Sequence, residues 1–258
     1  MPEQRPEGGR FAATRAVHVW YGRGADELGK VDLTHLDDGE LRLVRSRRPP
    51  LDAHYGSAHA AVRRVLADHY LGGPPSAITF GRHVCPRCGD PSHGRPRISS
   101  PVTGLEFSLS RTGPHWALAV TAGERVGIDI ECGAGRAVDG AAEVALSDGE
   151  LARLRAVEHA AGRREFFLRA WTRKEAVLKA AGTGIVAGMR ALEVRPAQRG
   201  TVRVENAEAV RGDRPRTWLV DELALGDGLF AALAREEGRC GPVVLRPVTR
   251  TENGAVAV

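Results

Sequence analysis

The sequence has 258 residues, 42% of them hydrophobic, which is not the composition of an intrinsically disordered chain. No apolar run approaches the ~20 residues that cross a membrane, and the charged start "MPEQRPEGGR" lacks the apolar core of a signal peptide, so we expect a cytoplasmic protein with reduced cysteines. The net charge of +5 favours an anionic partner such as nucleic acid, a phosphate-bearing cofactor or an acidic protein, although a merely soluble basic surface explains it equally well.

Hydrophobic periodicity and turn residues predict the elements of the first half of the chain. They are a loose tail over 1–13, a strand over 16–20, a helix over 57–73, a strand over 77–80, a polar loop over 81–97, and a hairpin of strands 105–110 and 115–120. The segment from Arg42 to Arg64 contains six arginines and one acid, so this part of the chain is strongly basic.

The second half begins with the alternating strand "RVGIDIE" (125–131) and continues into two helices, 147–160 and 165–182, the second ended by Gly182. Four short strands follow, at 192–195, 201–204, 217–223 and 229–234, and the last dozen residues have no clear pattern. Strands and helices do not alternate regularly, which favours an α+β fold over a doubly wound sheet. A boundary near residue 120 divides the chain into halves 14–120 and 121–250.

The stretch "VGIDIE" places two acids side by side at the end of an apolar run. Side chains alternate along a strand, so Asp129 and Glu131 share one face while Val126, Ile128 and Ile130 share the other. Two adjacent carboxylates repel each other unless one holds a proton or a cation lies between them. The pair therefore raises the question of a metal site.

The helix "EFFLRAWTRKEAVLKAAG" offers a third acid, Glu175, four residues before Lys179. This spacing is also that of an ordinary solvated ion pair. Only three of the 37 basic residues are lysines, and two of these, Lys174 and Lys179, flank Glu175. Three carboxylates without histidine or cysteine suit a hard cation, Mg²⁺ or Mn²⁺, and Lys179 could neutralise a phosphate bound there.

The order of two motifs resembles a known family. "VGIDIE", followed some forty residues later by "WTRKEAVLKAAGTGI", resembles the paired signatures of Sfp-type 4'-phosphopantetheinyl transferases. Upstream, "HGRPRI" resembles the Gly-Lys-Pro segment of that family, "FSLSRT" its Asn-x-Ser-His-Ser segment, and "DAHYGSAHAAVRRVLADHYLG" its first helix. "CPRCG" resembles a segment of some actinobacterial members. The two downstream motifs in this order are specific, whereas each upstream motif alone is weak.

The resemblance implies a fold and a reaction. The fold is α+β, built of two similar halves related by pseudo-two-fold symmetry, with the site between them. The reaction moves 4'-phosphopantetheine from coenzyme A to a serine of an apo acyl or peptidyl carrier protein and releases adenosine 3',5'-bisphosphate. A chain carrying both halves is expected to be a monomer, with coenzyme A and the carrier protein as partners and neither nucleic acid nor membrane among them.

The resemblance also implies roles for individual residues. Asp129, Glu131 and Glu175 would hold Mg²⁺, Lys179 would bind the phosphates with help from Lys174, and Arg95 would meet the nucleotide end of coenzyme A. The positions that match contacts to the 3'-phosphate are Ser110, Arg111 and some of Arg42, Arg45, Arg47 and Arg48.

The identity of the base that deprotonates the serine stays open between Glu175 and Glu150. Glu150 has a structural explanation as well, since Ser147 and Glu150 form the pattern of a capping box. Two positions depart from the family pattern: Arg111 replaces the usual histidine, and Ser108 replaces a common asparagine. Arginine is permanently charged and grips phosphate in a fork, so binding of the 3'-phosphate could survive.

The "CPRC" segment has a second interpretation. Cys85 and Cys88, with His83 and His93, could supply four zinc ligands. The second Cys-x-x-Cys of a strong zinc motif is absent, so the sequence favours a plain loop with reduced thiols.

Two other functions remain open from the residues alone. A Mg²⁺-dependent nuclease would also use carboxylates, lysine and a basic surface, although its acid-x-lysine pair usually lies on a strand. A non-catalytic module that binds coenzyme A or an acidic protein would keep the arginines without needing the acids.

Overall fold

The computed structural model describes residues 11, 13–133, 138–184, 188–206, 216–250 and 256–257. Its α-helices are α1 (Asp38–Arg45), α2 (Leu51–Leu66, extended by a π-helical turn Ala67–Leu71), α3 (Asp139–Ala145), α4 (Asp148–Arg155) and α5 (Ala160–Ala181). Its strands are β1 (Val17–Arg23), β2 (Thr79–Arg82), β3 (Pro96–Ser100), β4 (Leu105–Thr112), β5 (His115–Ala122), β6 (Val126–Cys132), β7 (Val202–Asn206), β8 (Arg216–Glu222), β9 (Leu229–Glu236), β10 (Val243–Arg250) and β11 (Val256–Ala257). The fold is α+β, as the sequence predicts.

The two halves repeat one topology. In the first, β1 leads into α2 and the chain returns through the hairpin β4–β5, whose second strand pairs antiparallel with β1. In the second, β6 leads into α5 and the chain returns through β8–β9, whose second strand pairs antiparallel with β6. The strand orders β1-β5-β4 and β6-β9-β8 therefore correspond.

The elements stack as helix, sheet, sheet, helix. One face of the first sheet, with Trp20 and Leu118, packs on α2. Its other face, with Val19, packs on the Ile128 and Ile130 face of the second sheet. The opposite face of the second sheet packs on α5. Because strand side chains alternate, Asp129 and Glu131 lie on the α5 face.

Several predicted boundaries are confirmed and others are wrong. The hairpin, the strand at 125–131 and the end of α5 at Gly182 (φ +82°) agree with the structure. Helices α2 and α5 begin earlier than predicted, at Leu51 and Ala160, and α4 ends earlier, at Arg155. The predicted tail over 1–13 lies almost wholly outside the described residues.

The strand predicted at 192–195 does not form. The backbone N–H of Val194 donates to the Glu150 carboxylate (2.9 Å), and the Val194 and Arg195 carbonyls accept from the Arg173 guanidinium (3.1 and 2.8 Å). Side chains thus take the backbone groups that a sheet would need. Helices α1 and α3 and strands β3, β10 and β11 were not predicted. Strand β10 pairs parallel with β1 and antiparallel with β11, so the last part of the chain completes the first sheet. The division near residue 120 stays a prediction.

No helix within the described ranges has the length and apolarity that crossing a membrane requires.

Candidate functional site

Helix α5 lies directly on β6 at Gly127. A Cβ at this position would come within 2.0 Å of the Ala176 carbonyl oxygen and 2.5 Å of the Ala180 nitrogen, both backbone atoms of α5. Only glycine permits so close an approach. The contact brings the α5 face with Glu175 and Lys179 over the β6 face with the two acids.

The ammonium group of Lys179 contacts Asp129, the first of the two acids on β6. Its ammonium nitrogen lies 2.7 Å from Asp129 Oδ1, 3.1 Å from the Ile128 carbonyl oxygen and 3.1 Å from Ser110 Oγ. The Lys179 side chain is 29% exposed and that of Asp129 is 7% exposed, so the pair lies at the border between core and solvent. One cation is therefore already fixed against the carboxylate of Asp129.

Hydroxyl side chains of β4 join the two sheets beside these acids. Alternate residues of β4 accept hydrogen bonds from alternate backbone N–H groups of β6: Ser108 from Ile128 (3.1 Å), Ser110 from Ile130 (3.2 Å) and Thr112 from Cys132 (3.1 Å). Two of the hydroxyls also donate to the acids, Ser110 to Asp129 Oδ1 (2.8 Å) and Thr112 to Glu131 Oε2 (3.3 Å). Ser110 is buried, and its hydroxyl hydrogen-bonds to Asp129 and Ile130. Its predicted contact with a phosphate stays a prediction.

The acids suit a hard cation in their chemistry. Oδ2 of Asp129, the oxygen that Lys179 does not contact, is buried and has no hydrogen-bond partner among the described residues. Leaving a buried polar atom unpaired is costly unless a further donor or cation meets it. The third acid, Glu175, is 7% exposed and lies one turn before Lys179. Across the described chain, the oxygens of Asp129, Glu131 and Glu175 do not form a group lying wholly within 4.8 Å. Mg²⁺ is usually held by one or two carboxylates together with water and substrate phosphates, so the donors fit it without converging completely.

The arginine predictions divide into two groups. Arg47 and Arg111 both lie over the ring of Tyr55, with their Cζ atoms 4.0 and 4.3 Å from its centroid. Burial lowers the pKa of the Arg111 guanidinium, and Tyr55 opposes the shift. The sequence analysis missed Tyr55; its position as an aromatic residue inside the arginine-rich segment was the available signal. The other predicted arginines, Arg42, Arg45 and Arg48, are exposed on α1 and the turn after it.

Arg95 lies at the C-terminal end of α5. Its Nη1 is 2.5 Å from Glu106 Oε2, and its side chain passes Gly182, where an added Cβ would come within 2.8 Å of Arg95 Cγ. Burial lowers the pKa of the guanidinium, against the effect of Glu106. Arg95 is thus held next to the C-terminus of the helix that carries Glu175 and Lys179.

The structure does not bring Lys174 and Glu150 to the acids. Both side chains are 0% exposed, and they form an ion pair of 2.5 Å. The Lys174 ammonium also donates to the carbonyls of Ala145 and Met189, each at 2.9 Å, and Glu150 completes the predicted capping box with Ser147. Burial lowers the pKa of Lys174, against the attraction of Glu150. These contacts give both residues a structural role.

Comparison with known proteins points to one family. A model of the 4'-phosphopantetheinyl transferase superfamily matches residues 125–234, which contain both motifs and the α5 contact at Gly127. This part of the chain is similar to the 4'-phosphopantetheinyl transferase superfamily. A 4'-phosphopantetheinyl transferase of Bacillus subtilis is 27% identical to it over 174 residues, covering 66% of this chain and 71% of the relative.

A solved structure, the holo-[acyl-carrier-protein] synthase of Thermotoga maritima, is similar at 22% identity with a TM-score of 0.30. The match covers 44% of this chain and 62% of that one, so it spans less than two thirds of that enzyme, and a TM-score this low supports no conclusion. The superfamily match and the Bacillus relative support 4'-phosphopantetheinyl transfer in general.

Proposed function

We propose that the enzyme transfers 4'-phosphopantetheine from coenzyme A to a serine hydroxyl of an apo acyl or peptidyl carrier protein, with Mg²⁺ bound at the acids, and releases adenosine 3',5'-bisphosphate. The observation that carries the proposal is the contact of α5 with β6 at Gly127, because it sets Lys179 on Asp129 and Glu175 one turn away. The acids would hold the metal and Lys179 would supply a second positive charge, so both could stabilise a pyrophosphate bound at this point.

Asp129 is the strongest candidate for direct coordination, since its Oδ2 is buried and lacks a partner among the described residues. Glu131 and Glu175 would complete the site directly or through water, with Mg²⁺ or Mn²⁺ as the ion. When bound, the metal would offset the charge that develops on the phosphoryl oxygens. The hydroxyl of Thr112 orients Glu131, and the hydroxyl of Ser110 orients Asp129.

The transfer makes one bond and breaks one. The carrier serine oxygen bonds to the β-phosphorus of coenzyme A, and the bond from that phosphorus to the bridging oxygen of the pyrophosphate breaks. The serine proton passes to Glu175, directly or through water, and the electron pair leaves with adenosine 3',5'-bisphosphate. The Lys179 ammonium, which solvent can reach, neutralises the phosphates. Glu150 and Lys174 take no part, because both are fully buried in their own ion pair.

The nucleotide end of coenzyme A meets the arginines. Arg111 lies on β4 between Ser110 and Thr112, so its side chain leaves the opposite face of the strand from the hydroxyls that hold the acids. Arg47 and Arg111, both stacked on Tyr55, bring together two positive charges that suit the 3'-phosphate. Arg95, next to Gly182 at the C-terminal end of α5, would also contact the nucleotide.

The halves 14–120 and 121–250 would place the nucleotide contacts and the acids on opposite sides of one cleft. Their repeated topology within one chain supports an Sfp-type enzyme that acts as a monomer. Light scattering of the purified chain, with and without coenzyme A, tests this: a stable oligomer would contradict it.

The deciding experiment is intact-mass spectrometry of an apo carrier protein incubated with the enzyme, coenzyme A and Mg²⁺. We expect the mass gain of one phosphopantetheine, with an equal amount of adenosine 3',5'-bisphosphate released. The gain should disappear without Mg²⁺ and in Asp129→Asn and Glu175→Gln.

Glu205→Gln is the matched control, because Glu205 is an exposed acid whose side chain is 71% exposed. It should keep full activity. Transfer that persists without added metal and in Glu175→Gln would refute the assignment of the acids. Hydrolysis of DNA without coenzyme A, together with no transfer to fatty-acid, polyketide or peptide carriers, would refute the proposed function.

A further inference from the structure

The loop between β2 and β3 buries few of its own side chains. It runs from His83 to Arg95, and only Cys85 and Gly94 within it are buried. Loops of this length without secondary structure are uncommon in compact domains unless something else orders them. Two hydrogen bonds join the ends of this loop. The His83 N–H donates to the Arg95 carbonyl (2.8 Å), and the Arg82 guanidinium donates to the Gly94 carbonyl (2.9 Å).

Three potential metal ligands converge inside this loop. One donor atom each from Cys85, Cys88 and His93 lies within 4.8 Å of the other two, and the Cys88 sulfur is 3.2 Å from His93 Nε2. Among the described residues, these are the three histidine, cysteine or acidic side chains whose ligand atoms lie within 4.8 Å of one another. Neither cysteine is in a disulfide.

The backbone around Cys85 is folded as a sulfur-binding turn. The backbone N–H groups of Arg87 and Cys88 hydrogen-bond to the Cys85 sulfur. The N–H of Gly89 donates to the Cys85 carbonyl and the N–H of Cys85 donates to the Asp90 carbonyl, both at 2.9 Å. Hydrogen bonds of this kind orient a ligating thiolate and stabilise its charge.

The geometry suits zinc. Zinc binds thiolate sulfur at ~2.3 Å and histidine nitrogen at ~2.0 Å in a tetrahedron, which separates a ligating sulfur and nitrogen by about 3.6 Å. The observed 3.2 Å between Cys88 and His93 needs to widen by only a few tenths of an ångström. Two soft sulfur donors and one imidazole select zinc over Mg²⁺ or Ca²⁺.

We propose that Cys85, Cys88 and His93 bind one zinc ion, which closes the loop between β2 and β3 and thereby holds Arg95 against Gly182. The fourth position belongs to water or to the Asp90 carboxylate, whose Oδ2 is 3.5 Å from His93 Nε2. His83, which the sequence suggested as a fourth ligand, instead directs its Nε2 to Glu106 at 3.4 Å. The site is separate from the acids on β6 and needs no assumption about the reaction.

The test measures metal in the full chain. The protein is incubated with excess Zn²⁺ under reducing conditions, desalted and analysed for zinc content, and its affinity is measured by competition with a chromophoric chelator. We expect one zinc ion per chain. Cys88→Ser should weaken zinc binding by at least ~100-fold, since loss of a ligand exceeds the ~10–100-fold cost of losing an outer-shell partner.

Cys88 is exposed, so its replacement by serine should leave the fold intact, which circular dichroism verifies. Cys132→Ser is the matched control, because Cys132 lies on β6 outside the cluster, and it should keep the zinc ion. Co²⁺ in place of zinc should give the intense visible absorption of a tetrahedral site with sulfur ligands. No zinc retained by the wild-type chain, equal zinc in the wild type and Cys88→Ser, or a Cys85–Cys88 disulfide under the same reducing conditions would each overturn the proposal.

Discussion

Replacing Gly127 by alanine tests the contact on which the candidate site depends. The new Cβ would lie 2.0 Å from the Ala176 carbonyl oxygen, whereas an ordinary contact begins at 3.4 Å. Both crowded atoms belong to the backbone of α5, so no side chain can swing aside. The helix must instead move away from β6 by about 1.4 Å.

A shift of that size is enough to separate Lys179 from Asp129. The Lys179 ammonium is now 2.7 Å from Asp129, and the displacement would lengthen this distance to about 4 Å, beyond a hydrogen bond. Overpacking of a core typically costs ~1–3 kcal/mol. A displacement of about 1 Å at reacting groups can cost about 100-fold in rate. We therefore expect Gly127→Ala to lose about 100-fold in kcat/KM and ~1–3 kcal/mol in unfolding free energy.

The assay combines carrier-protein loading by mass spectrometry with urea denaturation of the same preparation. Gly140→Ala is the control, because Gly140 lies in α3 with open space around the position of a Cβ. There alanine should stabilise the helix by ~0.5–1 kcal/mol. If Gly127→Ala kept wild-type stability and activity, the close approach of α5 to β6 would not be what positions Lys179.

Two further predictions concern buried charges. Lys174→Met leaves the buried Glu150 carboxylate without its cation, so the unfolding free energy measured in urea should fall by ~3–5 kcal/mol. Adding Glu150→Gln should restore part of the lost unfolding free energy, because no unpaired buried charge remains. Burial lowers the pKa of His59 below 6.5, although Glu40 opposes the shift, so the unfolded chain takes up this proton first as the pH falls. The unfolding free energy should therefore decline below pH 6.5 by up to ~1.4 kcal/mol per pH unit, and His59→Gln should flatten the decline in urea titrations.

Each prediction has a contradicting result. A double variant no more stable than Lys174→Met would show that the cost comes from lost packing and carbonyl contacts of Lys174, not from a bare charge. An unchanged pH slope in His59→Gln would show that other groups carry the acid sensitivity. His59 stacks on Tyr55 at 4.1 Å, so the slope with pH is the decisive quantity and not the stability at a single pH.

The sequence alone determined the local features of the site. Alternation along "VGIDIE" put Asp129 and Glu131 on one face of a strand, and Gly182 ended the helix that carries Glu175 and Lys179. The capping box at Ser147 and Glu150 was also readable. Each of these features depends on residues only a few positions apart, so the order of residue types along the chain is enough to predict it.

Tertiary structure decided which charged residues meet. Lys174 and Lys179 are five residues apart, about 140° around a helix, and the contact of α5 with β6 turned Lys179 toward Asp129 and buried Lys174 against Glu150. The same holds for Tyr55 beneath two arginines, for β10 beside β1, and for Cys85, Cys88 and His93 in one loop. Such contacts join segments far apart in sequence or depend on how a loop folds back, and they form because the whole chain buries its apolar faces together.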